Sequence, residues 1–206
     1  MRELTIEAFL TDLAARTAAP GGGATSALHA AQAAALLAMV ARYSNGPKYA
    51  ADASAIESVR ADADELRESC TDLIDADATA FAVVAAAYRL PRDTPEPAGD
   101  RSAAIAAALA GAAEPPAAVI TAAARLVKLA EVLLPIGNRN VVSDVAAAAE
   151  TIRAAVATAR INIQVNLRGI TDAGARARLT EAVEAADGLE ARSAQLSAAI
   201  RAELTG

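Results

Sequence analysis

Sixty-one of the 206 residues are alanine, and no other feature constrains the fold so strongly. Alanine is the best helix former, with no side-chain entropy to lose. The main helix breakers gather at six places: Pro20-Gly21-Gly22-Gly23, Gly46-Pro47, the stretch 91–99, Glu114-Pro115-Pro116, Gly137-Asn138 and Gly169. They divide the chain into about seven helical pieces. No stretch shows the period-two alternation and β-branched enrichment of a strand. The expectation is an all-α bundle, one domain over residues 1–206, with its longest helix including residues 60–85. The stretch 91–99 reads as a crossover loop. Thr5 is the expected N-cap of the first helix, and Ser143 that of the sixth. Ser54 and Glu57 form a capping-box pattern for the third, and Gly137 and Gly169 read as stops.

Composition narrows the chemistry. Leu, Ile, Val and Phe together number 45, so the core must be built largely of small side chains. A net charge of −6, two Phe, three Tyr and no Trp argue against both duplex binding and base stacking. One Cys and one His exclude an internal disulfide framework and a His/Cys zinc site. A Ser-His-Asp triad would need His29, which lies in an alanine run without a nucleophile signature. The segment from Thr17 to Ala41 has the length of a membrane span. Its PGGG, His29 and Gln32 fit a buried helix of a cytoplasmic protein better. Acid–base work must then fall to Asp and Glu.

Polar residues break the apolar pattern at three points. Leu66, Cys70, Leu73, Phe81, Val84 and Tyr88 form a stripe in steps of three and four, and Asp77 fills its missing step. A carboxylate there must be paired, hydrogen-bonded or neutral. It either ties the helix to a neighbour through an Arg or a backbone amide, or serves as an acid–base group in a partly dry cleft. Gly21, Gly22 and Gly23 open the second helix. They make either a tight turn or a backbone N–H site for an anion or carbonyl, without the Lys of a P-loop. The third point is Gly137-Asn138-Arg139-Asn140-Val141-Val142-Ser143-Asp144, followed on the same predicted helix by Asn162 and Asn166. Asn is unfavourable inside a helix, which suggests buried hydrogen bonding. Asp144 and Asn162 share a helix face but stand ~27 Å apart along its axis.

The order of these features resembles the cyclodeaminase family, over roughly residues 3–204. The matching pieces are PGGG, Asp77-Ala78-Thr79-Ala80-Phe81, Ala87-Tyr88-Arg89-Leu90-Pro91 and Arg101. Pro115-Pro116, Gly137-Asn138-x-Asn140-x-x-Ser143-Asp144 and Arg160-Ile161-Asn162-Ile163-Gln164-Val165-Asn166 complete the order. The family includes the C-terminal domain of formiminotransferase-cyclodeaminase and stand-alone methenyltetrahydrofolate cyclohydrolases. This chain departs from it at Ala24, where Ser is common, and at Ala30, where Gly is common. His29 and Gln32 replace what are usually small residues.

The resemblance implies a dimeric helical domain acting on one-carbon tetrahydrofolates, with no metal or other cofactor. The activity is that of a 5-formiminotetrahydrofolate cyclodeaminase, or alternatively a methenyltetrahydrofolate cyclohydrolase. It implies Asp77 as the catalytic group; Asp144, in the first turn of its helix, is the next carboxylate to consider as catalytic. Gly21–Gly23, Asn138, Asn140, Ser143, Asn162 and Asn166 become candidates for substrate binding. Lys48, Arg101 and Arg139 are the cations nearest the motifs to receive the glutamate tail. A separate formiminotransferase would supply the formimino substrate. A non-catalytic folate-binding or helical interaction protein remains the other reading.

Overall fold

A computed structural model describes residues 1, 3–91 and 95–205, with side chains omitted for 95–99. Among the described residues six α-helices follow in order: α1 (Ile6–Ala14), α2 (Gly22–Tyr43), α3 (Ala53–Tyr88), α4 (Pro95–Ile136), α5 (Val142–Leu167) and α6 (Ala173–Thr205). Single 3-10 turns at Pro47–Tyr49 and Arg139–Val141 join α2 to α3 and α4 to α5. There is no strand among the described residues.

The helix count falls one short of seven because α4 runs straight through Pro115-Pro116, where a break was expected. Both rings are buried, so tertiary packing overrides the local penalty. At 42 residues α4, not the 36-residue α3, is the longest helix. Most of the expected crossover loop is helical, since α4 starts at Pro95, and residues 92–94 lie outside the described residues.

Thr5 caps α1 as expected, accepting from the Ala8 N–H at 3.1 Å. Ser54 and Ser143 do not cap. Helix α3 starts one residue before Ser54, with Asp52 at its N-cap, and α5 starts one residue before Ser143. Asn138 caps the 3-10 turn instead, its side chain accepting from the Asn140 N–H.

Helix α2 is the centre of the bundle and packs against α3, α4 and α5. Eight of its twelve buried residues are alanines, distributed around the helix. A helix with small residues on every face can be approached closely from several sides, and its apolar pattern then has no single stripe. Length and composition alone would let α2 cross a membrane, yet more than half of it is buried among its neighbours. Larger side chains such as Leu66, Leu126, Leu133, Ile152 and Ile163 fill the spaces between the helices. A second, smaller cluster of Val84, Ala87, Ala108 and Ala112 holds the end of α3 to the start of α4. There the α3 stripe leaves the main core: Phe81 and Tyr88 are 45% and 50% exposed, whereas Leu66 and Cys70 are buried.

Candidate active site

The site begins at the N-terminus of α2. A helix starts with backbone N–H groups that have no intrahelical acceptor, and an N-cap side chain usually supplies one. Here the N-cap is Gly21, which has no side chain to offer. Asp77 reaches across from α3 instead, and its Oδ2 accepts from the Ala24 N–H at 2.9 Å. The tie to a backbone amide, one of the two readings open for Asp77, is therefore present.

That contact depends on the glycines. A Cβ on Gly23 would stand 1.9 Å from Asp77 Oδ1, and one on Gly22 would stand 3.1 Å from Asn162 Nδ2. Each glycine thus lets one functional side chain close on the helix start. Gly21 faces open space. Asn162 donates through Nδ2 to the Thr158 carbonyl at 2.8 Å, which fixes its rotamer. Its Oδ1 has no hydrogen-bond donor among the described residues, and the Asn166 amide has no partner among them either.

These groups surround a cavity of about 210 Å³. The glycine loop forms one wall, Asp77 and Phe81 of α3 a second, and Asn162, Val165 and Asn166 of α5 a third. Ala112 of α4 and Ala18 complete it. Burial pushes the Asp77 carboxyl above its ordinary value, and the Ala24 N–H partly opposes that rise. Asp77 has no ion-pair partner among the described residues. The result is a half-buried carboxyl group in a cavity with hydrogen-bonding walls, suited to passing protons. A larger hollow of about 830 Å³ lies elsewhere, but α1 and Ala15 alone line it, making it open surface. Among the described residues no three His, Cys, Asp or Glu side chains converge as a metal site would require.

Asp77, Gly21, Gly22, Gly23, Asn162 and Asn166 are brought together. The other candidates are not. Asn138 sits at the far end of α2, its N–H on Ser44 Oγ at 2.8 Å and its Nδ2 on the Tyr43 carbonyl at 2.7 Å. Asn140, Ser143 and Asp144 follow it, and Lys48 lies in the turn after α2. A 22-residue helix puts this group ~30 Å from Asp77 within the chain. Lys48 stacks over Tyr49 at 5.5 Å, and Arg139 pairs with Glu203. Arg101 closes the C-terminal end of α3, donating to the Tyr88 and Leu90 carbonyls at 3.1 Å each. Phe81, which the sequence places only on the apolar stripe of α3, lines the cavity; its spacing of four from Asp77 is the signal that places both on one face.

A formiminotransferase-cyclodeaminase family model matches residues 5–185. A methenyltetrahydrofolate cyclohydrolase of Methylorubrum extorquens is 35% identical over 194 residues, covering 94% of this chain and 92% of that protein. A formimidoyltransferase-cyclodeaminase of Rattus norvegicus is 32% identical over 171 residues, 82% of this chain. That match spans 32% of the rat protein, about a third of its length. The crystal structure of a formiminotetrahydrofolate cyclodeaminase from Thermotoga maritima superposes with a TM-score of 0.83 at 28% identity. The match covers 96% of this chain and 98% of that one.

Proposed function

Since the chain belongs to the formiminotransferase-cyclodeaminase family, we propose that it is a folate one-carbon enzyme. Its main reaction is the cyclodeamination of 5-formiminotetrahydrofolate to 5,10-methenyltetrahydrofolate and ammonia. The observation that carries this reading is Asp77, a half-buried carboxyl group seated on a helix N-terminus inside a cavity.

The chemistry needs one group able to take and return a proton. N10 of the substrate attacks the protonated formimino carbon on N5, and a C–N bond forms. Asp77 as carboxylate takes the proton that N10 must lose. As carboxylic acid it returns that proton to the amino group on the same carbon. The C–N bond to that group breaks, ammonia leaves, and the methenyl cation remains bridging N5 and N10. Burial raises the carboxyl and favours its proton-holding form, while the Ala24 N–H at the helix start favours the carboxylate, so the two influences oppose one another on a single group.

The Gly22 and Gly23 N–H groups and the amides of Asn162 and Asn166 orient the ring and the one-carbon unit. A 210 Å³ cavity is below the ~300–1,000 Å³ typical of whole-ligand pockets. The tail therefore lies outside it, over Phe81 toward the exposed end of α3, where Arg101 stands above Tyr88. No metal or cofactor is required, and the chain acts in the cytoplasm beside a separate formiminotransferase. Exposed Ile6, Leu10, Ile161 and Val165 support assembly as a homodimer.

A second reading is methenyltetrahydrofolate cyclohydrolase, favoured by the 35% identity over 92% of the Methylorubrum extorquens protein. In that reaction Asp77 would deprotonate a water attacking the methenyl carbon. Absorbance of methenyltetrahydrofolate separates the two. It rises when the formimino substrate is supplied to a cyclodeaminase, and it falls beyond the spontaneous rate when a cyclohydrolase is given the methenyl form. Neither change with purified protein would refute both.

A further inference from the structure

Helix α4 contains an arrangement that local stability does not explain. In an α-helix each carbonyl accepts from the N–H four residues on, or in a tighter turn from the N–H three residues on. Proline has no N–H. For the Ala112 carbonyl those two donors would be Pro116 and Pro115, which both lie inside α4. The consecutive prolines thus remove both helical donors from one carbonyl. The preceding residue, Gly111, keeps the possibility of the Glu114 N–H.

A carbonyl without a protein donor is costly wherever water is excluded, and so is each proline in a helix interior. The residue that bears this cost is Ala112, which is 8% exposed and lines the cavity beside Asp77. The walls formed by the glycine loop offer N–H donors, and the α5 wall offers two amides. A reduced pterin ring carries N–H donors along one edge, so a cavity that binds it needs acceptors as well.

We propose that the Ala112 carbonyl is a substrate-positioning acceptor for an N–H of the reduced pterin, freed for that role by Pro115-Pro116. This rests on the folate reading above. It makes Pro116 a positioning residue whose effect is delivered through the backbone of Ala112.

The test compares Pro116→Ala with Pro115→Ala. Pro116→Ala returns the N–H that closes the Ala112 carbonyl. Pro115→Ala returns chiefly the N–H for Gly111, which does not line the cavity. Calorimetric binding of 5-formyltetrahydrofolate, a non-reacting reduced folate, is measured with thermal unfolding. Both variants should stay folded: the regained helix N–H stabilises and the lost packing of a buried ring opposes it, to a similar degree at the two positions. Pro116→Ala should bind about 3- to 10-fold more weakly, the range of one lost hydrogen bond. Pro115→Ala should stay within about twofold of the natural affinity, below that range. Unchanged binding by Pro116→Ala overturns the proposal. So does a parallel loss of stability and affinity in both variants, or failure of Pro116→Ala to fold, because each makes the rings packing elements. If the natural protein binds no reduced folate, the functional reading itself fails.

Discussion

Alanine substitution at the three glycines of the loop should give three different results. Gly21→Ala places a Cβ in open space, so neither Asp77 nor Asn162 has to move; turnover should change least of the three, and stability should fall slightly because alanine is a poorer N-cap than glycine. Gly22→Ala brings a Cβ to 3.1 Å from Asn162 Nδ2, so that amide must give by a few tenths of an ångström. A few-fold loss is expected. Gly23→Ala brings a Cβ to 1.9 Å from Asp77 Oδ1 and 2.4 Å from Cγ. To restore contact at 3.4 Å the carboxylate must withdraw by about 1.5 Å, which breaks its bond to the Ala24 N–H. A misplacement of about 1 Å in a reacting group costs roughly 100-fold, so kcat should fall by at least ~100-fold. Stability should change far less. Overpacking costs about 1–3 kcal/mol, and the gain from replacing glycine inside a helix offsets roughly 0.5–1 kcal/mol of it. The assay is kcat for methenyltetrahydrofolate formation beside urea unfolding. Turnover within about twofold of the natural protein in Gly23→Ala, a tiny share of that ~100-fold, would mean that the position of Asp77 at the helix start does not govern turnover.

Further outcomes follow from the same geometry. Burial raises the Asp77 pKa in the folded state, so its contribution to stability is present below its ordinary value of 3.8 and is lost as pH rises through the folded value. Asp77→Asn removes that titration. Its stability relative to the natural protein should therefore increase between pH 4 and pH 7, as urea unfolding at the two pH values would read. Arg101→Ala should raise KM for the glutamate-bearing substrate more than it lowers kcat, as steady-state kinetics would read. Light scattering at micromolar concentration should give the mass of a dimer, and a mass near the monomer's 20.8 kDa would count against assembly.

The helical class was legible because alanine content and clustered breakers act locally. The one extra break, at Pro115-Pro116, failed because burial of both rings decides there, and burial is not local. Ser54 and Ser143 were misread as caps for a similar reason: each lies one residue inside a helix whose start is set by packing and by the turn before it. Asp77 was legible because a carboxylate interrupting an apolar stripe needs a partner. That its partner would be the uncapped start of α2 could not be read from α3 alone. Asn138, Asn140, Ser143 and Asp144 share a motif with Asn162 in sequence order. A continuous α5 carries them ~27 Å away from it. Motif order records which residues a fold uses, whereas helix length decides which of them meet.

Asp77 is proposed to pass protons at this cavity while holding it together only incidentally. The most direct test of this role is the formation of methenyltetrahydrofolate from 5-formiminotetrahydrofolate by the natural protein and by Asp77→Asn, side by side, with 5-formyltetrahydrofolate binding measured on both. Asp77→Asn should fold, bind within a few-fold of the natural protein and turn over at least ~100-fold more slowly. Turnover retained in Asp77→Asn would contradict that role.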